Sequence, residues 1–592
     1  MRKQLSFAGI VLALALSACA GTSGDKGQDG STGPTGPTGP IGRPLPSTAW
    51  RFAIMGDTQW PAAGDDGKNP NGVAVDIINQ VNKELVEKDV RLVIQVGDLG
   101  DPNCADGVPC PSLQTRALFA QALYDAGIAF YPLRGNHESN KQGGVEVRRL
   151  FPQTQTGVNN QTPADTFAIP LTRLVGGVAT EDQVARPVSA GVPFTVGVNF
   201  TSPSDNLKGL TYAFDYGNAR FVLLDQFTPP DGAANSIAAQ QAWITSTLHG
   251  RPAGTHAFVF GHKGLITDNH KDTLFGASAG DATAGVPEAT DAFIKSLSDN
   301  GVRFYVGGHD HMHMNEVVAT TDGATAKVHE LVAASESYKF YTPYDHSQEP
   351  AYVTRQTRIA ESLWEVGFYI VTVDGDNATF EYFAVPVPTT RVVVPYSDGA
   401  GGNTDLNITT APALTGLFQR KDSWGYSLAG KEFLVAQGDA YTVVQDAFQG
   451  TTAKILAGMN GSTLSDPCGH VPFTKAVDTG WDAKTSETDS AILSLWGLED
   501  IGTAFTDTYV LSLSFAGATA AEMASGEMGV ATQDAYGNWV DATWYNAGGT
   551  SRFVAGPWTV GAQLGDHGVD PATNTAWAVV NRGGTFAVAT FR

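Results

Sequence analysis

From residue 50 onward, apolar residues come in short runs, and each run ends in a glycine followed by a polar residue. Residues 51–56, 91–96 and 128–133 read as buried strands, because β-branched and aromatic residues fill them without a break. Between them Ile77, Val81 and Leu85 recur at helical spacing, and a second helix is expected over 113–125. Further strands are expected at 210–216, 220–225, 256–260 and 301–306, with a helix over 238–248. Strand, polar loop, helix, strand is the order of an α/β domain. Polar residues just after the strands lie where open sheets bind ligands.

Two stretches break this rhythm. Residues 139–208 are rich in Gly, Pro, Thr and Val. Residues 335–360 hold Tyr338, Tyr341, Tyr344 and Arg355, which fit either packing or substrate contact, packing being the plainer use. After Pro388 helical spacing nearly vanishes. Residues 508–515, 575–580 and 585–591 alternate and are β-branched or aromatic, which predicts an all-β, sandwich-like domain over 391–592. His470 and His567 stand alone there and read as structural.

The N-terminus follows other rules. Arg2 and Lys3 precede an apolar run from Phe7 to Leu16, too short to span a bilayer. The run ends in Leu16-Ser17-Ala18-Cys19, which resembles a bacterial lipobox. On that reading residues 1–18 are a signal peptide, Cys19 carries lipid, and the chain is anchored to the cell envelope, at the outer membrane if there is one. Glycine then recurs every third residue from Gly24 to Gly42, with Pro34, Pro37, Pro40 and Pro44 between. This collagen-like tract over 19–47 is either an extended stalk, on the order of 80 Å at ~3.1 Å per residue, or a short triple helix that would make a trimer. Export suits a local disulfide between Cys104 and Cys110; a metal pair is the alternative, though no His lies beside them. Cys468 is left as a buried free thiol.

The chain has 592 residues, enough for several domains. Its 60 acidic against 37 basic residues give a net charge of −23, which repels nucleic-acid phosphates and argues against a nucleic-acid partner.

Candidate chemistry gathers in five places, always in strand-to-loop positions. They are Gly56-Asp57-Thr58-Gln59, Gly97-Asp98-Leu99-Gly100-Asp101, Gly135-Asn136-His137-Glu138, Gly261-His262 and Gly308-His309-Asp310-His311. Carboxylate, amide and imidazole groups of this kind suit Mn, Fe, Zn or Co. Set and order resemble the calcineurin-like metallophosphoesterases over about residues 50–390. That resemblance implies a four-layer α-β-β-α sandwich over 48–390 and two divalent metals. It implies hydrolysis of a phosphomonoester or phosphodiester by a hydroxide bridging those metals. Carried over residue by residue, Asp98 resembles the bridging carboxylate. Asp57 and His311 resemble ligands of the first metal, and Asn136, His262 and His309 ligands of the second. His137 resembles the catalytic His and Asp101 the carboxylate that orients it. Gln59 stands where the family usually has His, so it is a neutral, weaker ligand for the first metal. His313 is expected on the face of His311, behind the ligands or at the surface; Lys263 is expected in solvent. The competing reading is a surface binding or adhesion protein on a decayed phosphoesterase scaffold, against which the intact Asp98 and Asn136-His137 speak.

Overall fold

In a computed structural model of the chain, the described residues are 48–60, 69–101, 104–157, 169–175, 178–184, 193–266, 268–270, 272–277, 286–337, 339–343, 355–386, 418–460, 470–498, 506–534 and 536–591. The signal peptide, Cys19, the Gly/Pro tract, Tyr338, Tyr344 and Cys468 lie outside them. Among the described residues, no helix is long and apolar enough to cross a membrane.

Two sheets form the first body. One has six strands in the order Gln419–Ser427, Asn377–Pro386, Glu365–Asp374, Trp50–Met55, Leu92–Gln95, Ala129–Pro132. Its last three strands are parallel, and the others pair antiparallel. The second has nine: His470–Pro472, Gln356–Ser362, His313–Ala319, Lys327–Val332, Phe304–Gly307, His256–Phe260, Ala219–Leu223, Tyr212–Tyr216 and Val198–Thr201.

Strand alternation builds the layers. Phe52 and Ile54 point into the space between the sheets, where they meet Phe221, Phe258, Phe260 and Val306 of the second sheet. Ala53 and Met55 point the other way, into a core shared with Ile77, Val81 and Leu85 of helix Val75–Glu87. Behind the second sheet, Val222, Val259 and Tyr305 pack on Ile244 of helix Ile237–His249 and on Phe293 and Leu297 of helix Val286–Asp299. The order is helix, sheet, sheet, helix, as the resemblance implies.

Several details depart from the pattern in the sequence. The single helix expected over 113–125 is two, Pro111–Phe119 and Gln121–Asp125, meeting at Ala120. The loop-like stretch after Ser139 contains helix Lys141–Leu150, started by the Asn140 side chain, which accepts from Gly143 N at 2.9 Å. Its Gly143-Gly144 pair hides the helix from a propensity reading. Gly143 is required there, since a Cβ would lie 2.2 Å from Glu138 O. Cys104 and Cys110 form the expected disulfide.

Among the described residues, the C-terminal region holds two six-stranded sheets that share a core, the third of the molecule running from Glu432–Ala436 to Trp539–Asp541 and the fourth from Gln445–Phe448 to Arg552–Phe553. The third sheet contributes Val477, Leu493, Leu495, Val530, Phe586 and Val588 to their shared core; the fourth contributes Ile455, Leu511, Leu513, Ala576, Ala578 and Val580. One short helix, Ala520–Ser525, is described there, with a Thr519/Glu522 capping box. The sandwich is joined to the first body by more than a linker. Strand Gln419–Ser427 completes the first sheet, and Trp424 and Tyr426 fill the space between the two sheets. Strand His470–Pro472 extends the second. Arg303 pairs with Asp478 and His329 with Glu432 across the junction.

The strand Ala129–Pro132 is followed by Arg134, which is fully buried and makes a two-point ion pair with buried Asp225, at 2.6 and 2.8 Å. Its remaining nitrogen donates to the carbonyls of Glu138, Asn140 and Thr228. Arg134 thus holds the Asn136-His137 loop to the second sheet. Asp225→Ala would strand a buried cation and should cost about 3–5 kcal/mol. Urea unfolding at neutral pH would measure it; a change under about 1 kcal/mol would mean the pair is dispensable.

Candidate metal centre

All five motif loops leave the same end of the two sheets. Asp57, Asp98 and Asn136-His137 follow parallel neighbours of the first sheet, and His262 and His309 follow parallel neighbours of the second. Two glycines make the convergence possible. Gly97 has φ +103°, and a Cβ on it would lie 2.4 Å from His262 Nδ1. A Cβ on Gly135 would lie 1.9 Å from Asp98 Oδ1. Asp98, His309 and His311 have φ of 46°, 71° and 51°, a region that costs a non-glycine residue of order 1–3 kcal/mol and gathers at functional sites.

Asp98 stands between two sets of donors. Atoms of Asp98, His262 and His309 fall within 4.8 Å of one another, as do atoms of Asp57, Asp98 and His311. On the first side, His262 Nδ1 lies 2.8 Å from Val96 O. A carbonyl only accepts, so Nδ1 carries the hydrogen. His262 Nε2 then faces Asn136 Oδ1 at 2.9 Å and Asp98 Oδ1 at 3.3 Å. With the Asn136 oxygen facing inward, three electron-pair donors meet at one point, and that arrangement calls for a positive charge there. Either a second proton on His262 or a metal cation meets that demand.

On the other side, His311 Nδ1 is tied to Lys339 O at 2.7 Å, again freeing Nε2. That atom lies 3.5 Å from Asp57 Oδ1 and 2.9 Å from Gln59 Nε2, which also reaches Asp98 Oδ2 at 2.9 Å. Gln59 Oε1 is buried with no partner. Amide oxygen and nitrogen differ only by a half-turn of the side chain. Reversed, Gln59 would bring Oε1 to the same point as Asp57, Asp98 and His311, and its NH2 group to the place where Oε1 now has no partner. The residues fit two cations, with Asp98 common to both.

The electrostatics agree. Burial pushes the Asp57 carboxyl up to about 7, with the Asp98 charge adding to it and His262 opposing. Burial works against charge on His262 too, but Asp98 and Asp57 prevail and raise it to about 9. His309 falls to about 3, through burial first and then the neighbouring His270. Its lone pair is therefore available. Burial also acts against charge on Asp98, yet His262, His137 and His309 hold it well below the carboxylate range.

His137 sits at the open side. Its Nδ1 is 3.1 Å from Asp101 Oδ1, and its Nε2 is 3.7 Å from Asp98 Oδ2. Burial lowers its pKa, but Asp98 and Asp101 outweigh burial and the net shift is upward. Glu138, fully buried, accepts from Leu99 N and Gly135 N and ties the two motif loops together.

Some expectations change. Lys263 is not in solvent: it is buried and pairs with Asp272. His313 is neither at the surface nor on the face of His311. The strand starts at His313, and His311 lies in a left-handed turn, so alternation does not carry across. His313 instead stacks on Tyr382 at 4.2 Å and lies 3.0 Å from the Tyr369 hydroxyl. Arg355 is buried against Asp291 and the Ala319 carbonyl, a structural role. Tyr341 packs edge-on to His311 and to His270. His270 and Asp272 were not legible at all, since His270 lies in a loop and Asp272 in the two-residue strand Asp272–Thr273, neither with a motif. His270 Nδ1 is 2.7 Å from Asp310 Oδ1, its ring stacks on His309 at 4.0 Å, and Asp272 reaches His309 Nε2 at 3.2 Å.

Residues 51–313 match the family model Metallophos, Calcineurin-like phosphoesterase. The matched stretch takes in all five loops. No curated protein matches the chain. Among solved structures it is similar to one titled "Structure of PhoD", at 12% identity over 65% of this chain and 71% of that one, with a TM-score of 0.34. It is similar to the purple acid phosphatase PPD1 from yellow lupin (Lupinus luteus) seeds, at 15% identity and a TM-score of 0.30, covering 58% of this chain and 53% of that one. A dimetal phosphatase from Danio rerio aligns at 14% identity and a TM-score of 0.29, covering 56% of this chain and 95% of that one.

Asp98→Asn keeps the size of the side chain and removes the charge common to both donor sets. The expected outcome is loss of both metals, read by elemental analysis after dialysis, with the melting temperature of the metal-free protein retained. Full metal content in the variant would show that the two sets do not depend on Asp98.

Proposed function

We propose that this chain is a metal-dependent phosphoesterase of the cell envelope that hydrolyses phosphomonoesters or phosphodiesters. The observation that carries the reading is the pair of donor sets sharing Asp98, with His137 beside them. Two divalent cations held there would supply charge to the phosphoryl oxygens and would lower the pKa of bound water.

The chain's own residues divide the remaining work. Asp57, Gln59, Asp98 and His311 would hold one cation, and Asp98, Asn136, His262 and His309 would hold the other. The Val96 and Lys339 carbonyls fix the tautomers of His262 and His311, so their Nε2 lone pairs face the centre. His137 holds a proton. Asp101 occupies its Nδ1 side, which leaves Nε2, the atom nearer Asp98, to protonate the departing oxygen of the ester. The donor set, intact except for Gln59 in place of the usual His, speaks against a decayed scaffold.

Placement in the envelope rests on the sequence: the basic start, the short apolar run and Leu16-Ser17-Ala18-Cys19. Cys19 would carry lipid, and the Gly/Pro tract would hold the enzyme away from the membrane.

The function is tested with purified full-length protein on a panel of phosphomonoesters and phosphodiesters, with and without chelator. Hydrolysis that chelator abolishes and added metal restores is expected; chelator-insensitive or absent turnover overturns the proposal. His137→Ala should keep both metals and lose turnover by about 10²–10⁴. The loss should shrink for aryl phosphates, whose leaving groups need little protonation. An equal loss across leaving groups would assign His137 to phosphate binding instead. Cys19→Ala should move the protein from the membrane fraction to the soluble envelope fraction of expressing cells. Unchanged membrane association would refute the lipid anchor.

A further inference from the structure

The fourth sheet of the C-terminal sandwich has an outer face, turned away from the sandwich core, and that face carries a groove of about 440 Å³. Its strands are, in order, Gln445–Phe448, Thr451–Gly458, Tyr509–Ser514, Thr575–Val580, Asp566–Asp570 and Arg552–Phe553. Alternation fixes what the face offers. Ala453, Ile455, Leu511, Leu513, Ala576 and Ala578 go inward to the core. Their neighbours Lys454, Ser512, Thr575 and Trp577 go outward and line the groove.

The register sets four of these residues in one row across the strands. Gln445 is opposite Lys454, Lys454 opposite Ser512, and Ser512 opposite Trp577. With strands ~4.8 Å apart, the row runs roughly 14 Å. One wall of the groove is the Pro557-Trp558 loop. Trp577 is almost wholly covered, and its Nε1 donates to Gly556 O at 2.9 Å, pinning that wall to the floor. Trp558 packs on the cluster around Trp577 and stays half-buried, so it is the indole with surface to offer.

We propose that this groove binds a neutral polysaccharide chain. The inference is separate from the hydrolytic reading, since none of its residues belongs to the metal centre. The lining chemistry selects the class. It presents hydroxyls, a carboxamide, one ammonium, two indoles, Leu456 and Pro557, and no carboxylate. Strands Thr451–Gly458, Tyr509–Ser514 and Thr575–Val580 are paired on both sides, so an extended peptide cannot join the middle of the floor as a strand. A single lysine in a chain of net charge −23 does not gather a polyanion such as a nucleic acid. An acyl chain would find Leu456 and the indoles but would cover Gln445, Lys454, Ser512 and Thr575 without pairing them. A sugar ring matches both halves of the lining. Its C–H face covers an indole, and its rim of hydroxyls gives and takes hydrogen bonds with Ser512, Thr575, Gln445 and Lys454. The volume lies in the range of about 300–1,000 Å³ usual for small-ligand sites, and an open groove lets a longer chain run through.

The test is affinity electrophoresis of the full-length protein in gels holding soluble glucans of different linkage, galactomannan or xylan. Retardation by at least one is expected, insensitive to salt. Trp558→Ala should weaken it by at least tenfold, about 1.4 kcal/mol. Gln445→Ala with Lys454→Ala, both away from the core, should weaken it without touching the fold, and decides the matter if Trp558→Ala does not fold. Chelator-sensitive hydrolysis of an aryl phosphate should be unchanged in all variants, so failure of the groove and failure of the enzyme reading are told apart. No retardation by any of these polysaccharides overturns the proposal. So does equal retardation of folded variants, or binding confined to polyanions and lost in salt.

Discussion

One carboxylate constrains everything around it. Asp98 is buried, and it lies within reach of two imidazole-bearing sets of donors on opposite sides. A charge in that place is tolerated only if positive charge arrives on both sides and the surrounding chain cannot relax away. The fold supplies the second condition. Asp98 adopts a left-handed backbone, a side chain on its neighbour Gly97 would collide with His262, and one on Gly135 would collide with Asp98 itself. A motif loop that slipped by one residue would lose the geometry of both sets.

This explains why the site is built from strand ends rather than from one loop. Parallel strands of two facing sheets deliver Asp57, Asp98, Asn136, His262 and His309 to one rim. The apolar contacts of Phe52, Ile54, Phe258 and Phe260 between the sheets then fix the distance between the two halves. Rings and carbonyls finish the alignment. Each of His262 and His311 spends one nitrogen on a main-chain oxygen, so its orientation does not depend on the cation it would serve.

The sequence made the centre legible because metal chemistry admits few residue types. A glycine, a carboxylate or imidazole, and an apolar run before them leave little room for other readings when five recur in order. The layers were legible for a similar reason: Phe52 to Met55 alternates between two cores, and both faces are apolar. What stayed hidden depends on chain reversal rather than on pattern. Lys263 meets Asp272 across an irregular loop, and His270 reaches Asp310 from 40 positions away. His313 misled because period two was extended through a turn where it does not hold. The break at Ala120 has no local cause in the sequence. Gly143-Gly144 concealed a helix that packing and the Asn140 cap maintain.

Strand Gln419–Ser427 follows the α/β region in sequence but is laid into the first sheet beside Asn377–Pro386, with Trp424 and Tyr426 lodged between the layers. Strand Gln419–Ser427 therefore belongs to the first body, although it stands in sequence beside the strands of the sandwich. Severing the polypeptide near residue 390 would not yield two independent modules. It would uncover a ten-residue strand with its whole outer row of amides and carbonyls unpaired, an invitation to edge-to-edge association. It would also open a hole where two aromatic rings had been. The stretches that flank the sandwich strands are thus built into the body beside it, and load on the distal half reaches that body through the backbone hydrogen bonds of Gln419–Ser427 and His470–Pro472.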